Sequence, residues 1–140
     1  PESLYALELA AAIGAPRRAA LTIVHVQSRP LALSISPNAA AEFDRAEDEI
    51  GELIAAEART RLRSYEGEWT VVNRRGAVAQ ELLAAADEID ADIIVVGHRS
   101  HGPIRDAILG SVAGGTVHRA RRTVIVAIPP AKLLTESAVR

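Results

Sequence analysis

Hydrophobic residues follow two different spacings along the chain. In four stretches apolar side chains recur every three or four positions, which predicts amphipathic helices at about 4–13, 38–64, 78–89 and 111–121. Four short runs rich in β-branched residues predict strands at 21–26, 68–73, 92–96 and 123–127. The first run is mostly apolar on both faces, which is typical of a strand covered on both sides. Because helices alternate with strands, the pattern predicts right-handed βαβ units. The predicted fold class is α/β, a doubly wound parallel sheet.

Glycine and proline mark the predicted element ends. Gly14 and Pro16 end the first helix, Gly76 breaks the chain after the second strand, and Pro129 follows the last one. The apolar stripe of the long second helix is predicted to comprise Phe43, Ala46, Ile50, Leu53, Ile54 and Leu62. One domain is expected over residues 1–130, with a C-terminal tail at 131–140.

The first three residues are typical of the first turn of a helix. Pro1 suits the first helical position and Glu2 suits the helix dipole, yet no capping residue precedes them. Every later helix here follows a strand. We therefore expect a first strand upstream of these residues, and a gap in the sheet formed by the four visible strands.

Composition narrows the class of protein. With 140 residues, 49% of them hydrophobic, the chain suits one soluble domain, and no apolar run approaches the roughly 18 residues of a membrane span. A net charge of -2 argues against bulk electrostatic binding of nucleic acid or membranes, and 3% aromatic residues argue against a base-stacking platform. The absence of cysteine excludes disulfides and thiolate metal sites and agrees with a cytoplasmic location.

The richest chemistry follows the third predicted strand. The segment from Gly97 to Ser111 leads from a buried strand into a helix N-terminus, where α/β sheets place ligands. Free amides at that helix favour an anion, and the Ser111 hydroxyl either caps the helix or donates to a phosphate oxygen. Further positive or hydrogen-bonding groups in the segment are His98, Arg99, His101 and Arg105.

Known phosphate and nucleophile motifs do not fit this segment. A P-loop needs Lys and Ser or Thr where the chain has Pro103 and Ile104, and no GxGxxG occurs. Ser111 lies one residue off the GxSxG pattern of a nucleophile elbow, and no Asp and His pair accompanies it. Serine hydrolysis is therefore disfavoured, and His98 with His101 lacks a third metal ligand.

The spacing nevertheless resembles a known signature. Gly97-x-x-Ser100, nine further residues and then Gly110-Ser111 is similar to the Gly-2x-Gly-9x-Gly-Ser/Thr signature of the universal stress protein family. The similarity spans the chain in the order of its helices and strands. It implies a Rossmann-like sheet of strand order 3-2-1-4-5, often dimeric, and one branch of that family binds ATP in the signature loop whereas the other does not.

The resemblance also implies site residues. Val26 and Val96 would flank the adenine, and the ribose and phosphates would be lined by Gly97, Arg99, Ser100, Gly110, Ser111 and Val112. Two departures matter: Ser100 replaces the second glycine of the signature, and the family's first strand, which carries an Asp that contacts the nucleotide, has no counterpart here.

The leading hypothesis is a regulatory stress-response module that binds ATP, with or without Mg²⁺, or a related adenine nucleotide. No general base or carboxylate pair is visible, so any ATP hydrolysis is expected to be slow and incidental. The alternatives are a nucleotide-free dimerisation and signalling domain, and a small α/β transferase or hydrolase. The apolar last strand, with Val124, Ile125 and Val126, predicts a homodimer through its edge.

Overall fold

A computed structural model describes residues 2–28, 36–98 and 110–130. Helices and strands alternate along the chain, so the predicted α/β class is confirmed. The elements are α1 (Glu2–Gly14), β1 (Leu21–Gln27), α2 (Pro37–Arg61), β2 (Trp69–Arg75), α3 (Val78–Glu88), β3 (Ile93–Gly97), α4 (Ser111–Arg119) and β4 (Thr123–Ala127), with a short 3-10 turn at Ala15–Arg17. Segments 29–35, 99–109 and 131–140, including the predicted tail, lie outside the described residues.

The strands form two parallel pairs. β1 pairs with β2 in a register that aligns Leu21 with Trp69, and β3 pairs with β4 in a register that aligns Ile93 with Thr123. Within the described ranges these are two separate two-stranded sheets, and no ladder joins β1 to β3. The strand order 3-2-1-4-5 therefore stays a prediction.

Two helices contact both strand pairs. α1 packs against β3, β4 and β1, and α3 packs against β1, β2 and α4. On the α3 side, Ile94 and Val96 of β3 form a buried cluster with Ala86 of α3 and Ala113 of α4. Since neighbouring side chains of a strand point to opposite faces, Gly97 faces the other side, where α1 lies.

The long helix α2 departs from the predicted stripe. Ser36 is its N-cap and accepts a hydrogen bond from the amide of Ala39, 3.4 Å away. Its buried residues are Gly51 and Ala58, whereas Leu53 is 69% exposed and Ile50 is also exposed. Apolar spacing identified the helix correctly but assigned part of its buried face to the wrong side.

The turn after β2 confirms the role expected of Gly76. Its φ of 139° lies in a region that side chains with a Cβ rarely adopt. Beside it, Arg74 donates hydrogen bonds to Glu81 and Glu88 of α3, at 2.9 and 2.8 Å. The strand end is thereby tied to the helix that follows it.

A second arginine fastens the start of β4. Arg122 donates to Asp90 and to the Ala91 carbonyl oxygen, at 2.9 and 2.6 Å, and more weakly to Asp87. These groups belong to the end of α3 and the turn before β3. In the part of the chain that the structure describes, no helix is long and apolar enough to cross a bilayer.

Candidate functional site

The candidate site lies at the carboxyl ends of β3 and β4. Because these strands are parallel, the helix between them must run back in the opposite direction. The start of α4 therefore lies at the same edge as the end of β3. This edge carries Gly97 and Gly110 on either side of the segment 99–109, which lies outside the described residues.

The N-terminus of α4 presents free backbone amides. Its first internal hydrogen bond runs from the Gly114 amide to the Gly110 carbonyl oxygen, at 2.8 Å. The amides of Ser111, Val112 and Ala113 thus have no partner within the helix. Together with the helix dipole, they favour an anion at this position.

The cap of α4 corrects one expectation. Gly110 is the N-cap residue, and no side-chain hydrogen bond caps the helix. Ser111 is instead the first helical residue and is exposed, so its hydroxyl does not cap α4. The backbone of Gly110, with φ of -53° and ψ of 158°, is open to other residues, so dihedral strain does not require glycine there.

Gly97 lies against the backbone of α1. A Cβ placed on this residue would lie 2.8 Å from the carbonyl oxygen of Glu2, in the first turn of α1. Real Cβ atoms do not approach a backbone oxygen so closely. The absence of a side chain therefore lets α1 begin directly against the end of β3.

The two predicted adenine neighbours have different surroundings. Val96 is 6% exposed, and its side chain is part of the buried cluster, so its backbone is the part nearest to the strand edge. Val26 is half-buried near the carboxyl end of β1, in register with Arg74. The structure does not join their two strands in one ladder. Arg99 and Ser100 lie outside the described residues.

His98 is a polar residue of this edge that the sequence marked only as a neighbour. Its backbone N–H donates to the Ala127 carbonyl oxygen at 3.0 Å, which continues the β3–β4 ladder by one residue. Its ring nitrogen Nδ1 is buried and has no hydrogen-bond partner in the described parts of the chain. No sequence signal beyond its position after Gly97 could have indicated this burial.

A second cluster of polar side chains lies at the carboxyl ends of β1 and β2, beside α2. His25 Nε2 lies 3.5 Å from a carboxylate oxygen of Glu47, and the buried Gln27 accepts a hydrogen bond from Arg75 at 3.0 Å. Asn73 lies close to Gly51, whose Cβ would be 3.3 Å from the Asn73 side-chain oxygen. The inner face of α2 is therefore polar at this end.

The arginines of β2 are engaged within the protein. The hydrogen bonds that Arg74 donates to Glu88 and to Glu81 raise the pKa of Arg74 above its ordinary value, so this side chain stays cationic. Both carboxylates already accept from it, and Arg75 is bonded to Gln27. Among the residues that the structure describes, the polar groups at the edge of β3 are the backbone amides of α4, the Ser111 hydroxyl and His98.

Parallel strands, helices on both sides and an amide-rich strand edge define an α/β domain of the Rossmann-like class. The profile of the universal stress protein family matches residues 1–127. The chain belongs to the universal stress protein family.

Solved structures support the fold. The hypothetical protein MJ0577 is 17% identical, with a TM-score of 0.77 over 92% of this chain and 89% of its own. A universal stress protein in complex with cAMP is 26% identical, with a TM-score of 0.62 over 89% and 86%. A universal stress protein family member from Burkholderia pseudomallei is 25% identical, with a TM-score of 0.68 over 89% and 86%. No curated protein matches the chain.

Proposed function

We propose that the carboxyl edge of β3 and the start of α4 bind ATP or a related adenine nucleotide, and that the domain is a nucleotide-responsive regulatory module. The observation that carries this proposal is the set of three amides at the start of α4, which have no partner within the helix. They lie at the strand edge that ends in Gly97. A phosphate group supplies the acceptors that such amides need.

Side chains near these amides fit the same ligand. Ser111 is exposed at the first helical position, where its hydroxyl is able to donate to a phosphate oxygen. Val26 and Val112 are half-buried and suit an apolar contact with the base or ribose. In the proposed complex, Arg99 and Ser100 complete the site from the segment between Gly97 and Gly110.

Two considerations bear on which nucleotide is bound. The resemblance to the family signature implies ATP, whereas a universal stress protein 26% identical to this chain forms a complex with cAMP. Both ligands carry adenine and phosphate, and they differ in phosphate number and charge. Each is therefore tested separately, and ATP is tested with and without Mg²⁺.

Isothermal titration of the purified protein with ATP and with cAMP tests the proposal. Gly110→Trp places an indole beside the free amides and is expected to abolish binding. Val117→Trp is the matched control, because Val117 is exposed in the second half of α4. This variant is expected to bind both nucleotides as the unmodified protein does. The proposal fails if the unmodified protein binds neither nucleotide.

The proposal includes a fifth parallel strand between β1 and β3, in the order β2-β1-strand-β3-β4. In the described residues, β1 and β3 each pair with another strand along one edge, and α1 contacts both of them. The apolar side chains of β1 are only half-buried, as they would be beside an unfilled strand position. These side chains are Leu21, Ile23, Val24 and Val26.

A short Val- and Ile-rich peptide flanked by lysines probes this position. We expect it to slow amide hydrogen exchange in β1 and β3, whereas a control peptide with central prolines is expected to have no effect. Protection of β4 alone would show that the peptide pairs with the outer edge and would contradict the proposed strand order.

The second candidate function is a nucleotide-free dimerisation and signalling domain in the cytoplasm. It is favoured by β4, whose half-buried Val124, Ile125 and Val126 form an apolar strand that pairs on one side in the described residues. Such an edge is able to pair with a second copy. Ile125→Pro is then expected to give monomers by light scattering, and an unchanged mass counts against the dimer.

A further inference from the structure

The outer side of α2 carries apolar side chains as well as charges. Residues spaced alternately by three and four positions lie along one side of a helix. In α2 the residues of this kind that lie opposite the buried Gly51 and Ala58 are all exposed, and Leu53, at their centre, is 69% exposed. We name them the outer face of α2: Ala46, Glu49, Leu53, Ala56 and Thr60.

Two charges of opposite sign lie along one edge of the outer face. Glu52 and Arg59 are exposed and two helical turns apart, with the acid nearer to the start of α2. Neither has an ion pair or a side-chain hydrogen bond in the ranges that the structure describes. A shallow depression of the surface lies between them and is lined by Glu49, Glu52, Leu53, Ala55, Ala56 and Arg59.

Such a face is complementary to its own copy when the two helices run antiparallel. A two-fold axis midway between Leu53 and Ala56 brings Leu53 of one copy opposite the partner's Ala56, a large side chain against a small one. The same axis brings Glu52 next to the partner's Arg59, and the symmetry repeats both contacts. A parallel arrangement would instead place each charge beside its own kind.

We propose that the outer face of α2 is a docking surface for a second copy of this chain, which binds in an antiparallel α2–α2 pair. Opposite charges select this partner and this orientation, because the chain supplies both halves of each ion pair. The surface is separate from the edge of β4, since α2 lies against β1 and β2 whereas β4 pairs with β3. The inference does not depend on nucleotide binding.

The contact is expected to be weak. Each copy contributes one helix face without an aromatic residue, so the buried area falls below the roughly 1,200 Å² that stable interfaces need. We expect a Kd of about 0.1–1 mM. In unfolding experiments at micromolar protein the outer face therefore stays unpaired.

Sedimentation equilibrium across about 0.02–2 mM protein measures the association. The mass of the unmodified protein is expected to rise towards twice its value at the lowest concentration. Glu52→Arg places two arginines together at both ends of the contact and is expected to raise the Kd about tenfold. Arg59→Glu places carboxylates together there and is expected to have the same effect.

An equal mixture of these two variants tests the pairing itself. In a mixed dimer the new arginine meets the new glutamate, and the native Arg59 of one variant meets the native Glu52 of the other. The mixture is therefore expected to associate as the unmodified protein does. Glu42→Arg is the matched control, because Glu42 is exposed and an antiparallel pair leaves it beyond the end of the partner's α2. Thermal melts establish that each variant is folded.

Cross-linking tests the orientation. The chain has no cysteine, so an introduced cysteine is its single thiol. Ala56→Cys is expected to give covalent dimers with a short bismaleimide at about 1 mM protein, because the two copies of this position lie side by side. Asn38→Cys is expected to give none, because the two copies of the exposed Asn38 lie at opposite ends of the pair, about 50 Å apart at about 1.5 Å per residue.

Each outcome decides the proposal. It is overturned if the mass does not change with concentration, if Glu52→Arg associates as the unmodified protein does, or if the mixture fails to restore association. Efficient cross-linking of Asn38→Cys would show a parallel pair and would also overturn it. Association that is lost in Ile125→Pro but kept in Glu52→Arg would assign the contact to the edge of β4 and contradict a role of α2.

Discussion

The two helical layers of the domain are held by different chemistry. On one side, small apolar side chains of α3 and α4 pack against Ile94 and Val96 of β3. On the other, the middle of α2 faces β1 and β2 with Glu47, near His25, and with Gly51, near Asn73. The comparison teaches that covering a parallel sheet does not require an apolar helix face along its whole length.

The two arrangements respond to different changes. Close-packed apolar contacts depend on volume and shape, because a removed methyl group leaves a cavity and an added one creates a clash. Ion pairs at a partly exposed interface depend on charge and salt, and each contributes little. Stability is therefore expected to reside in the α3–α4 layer, and adaptability in α2.

The largest contrast is expected between two apolar residues. Ile94→Ala removes most of a side chain that is 5% exposed and is expected to cost about 3 kcal/mol of unfolding free energy. Leu53→Ala, on the exposed face of α2, is expected to change it by less than about 0.5 kcal/mol. Urea denaturation measures both, and equal losses would refute the division between the layers.

A smaller contrast concerns two glycines. Gly97→Ala forces a Cβ against the backbone of Glu2 and is expected to destabilise the protein by about 1–3 kcal/mol. Gly51→Ala meets only the Asn73 side chain, which is able to move, and gains up to about 1 kcal/mol of helix propensity. Thermal melts should show a lower Tm for Gly97→Ala only. A higher or unchanged Tm for this variant would contradict the close approach of Gly97 to the backbone of Glu2.

The smallest effect is expected at the far end of α2, where Arg61 bonds to Glu57 and to Glu8 of α1. Arg61→Gln is expected to cost at most about 0.5 kcal/mol, since all three groups are exposed to solvent. Hydrogen exchange should show faster opening of α2 at low salt, and the difference from the unmodified protein should vanish at high salt.

Arg63→Gln is the control for this pair, because Arg63 is exposed and has no ion pair in the described part of the chain. An effect of Arg61→Gln that persists at high salt would assign its role to packing of the side-chain stem.

The helices and strands were predictable because their signals are local. Apolar spacing, the Gly76 turn and the proline after β4 fixed the element order. The face of α2 was not predictable, because the half-buried Glu47 lies beside His25 of a distant strand, a partner that no spacing within the helix reveals.

The candidate site was predictable in part for the same reason. Gly97 and the start of α4 followed from their order along the chain, whereas the contact between Gly97 and α1 is visible only in the structure. Gly110, and not Ser111, is the N-cap of α4, and this difference of one residue in where the helix begins could not be read from the sequence. The burial of His98 Nδ1 depends on tertiary packing around β3, which the sequence does not encode locally.

The contact between Glu2 and Gly97 has a consequence for the order of folding. β3 and β4 need only the intervening helix to meet, whereas α1 reaches β3 after nearly the whole of the preceding chain has been closed into a loop. Contacts between residues so distant in sequence form slowly and late. We expect the amino-terminal helix to dock after the β3–α4–β4 unit has formed, and to be among the first elements released when the domain opens.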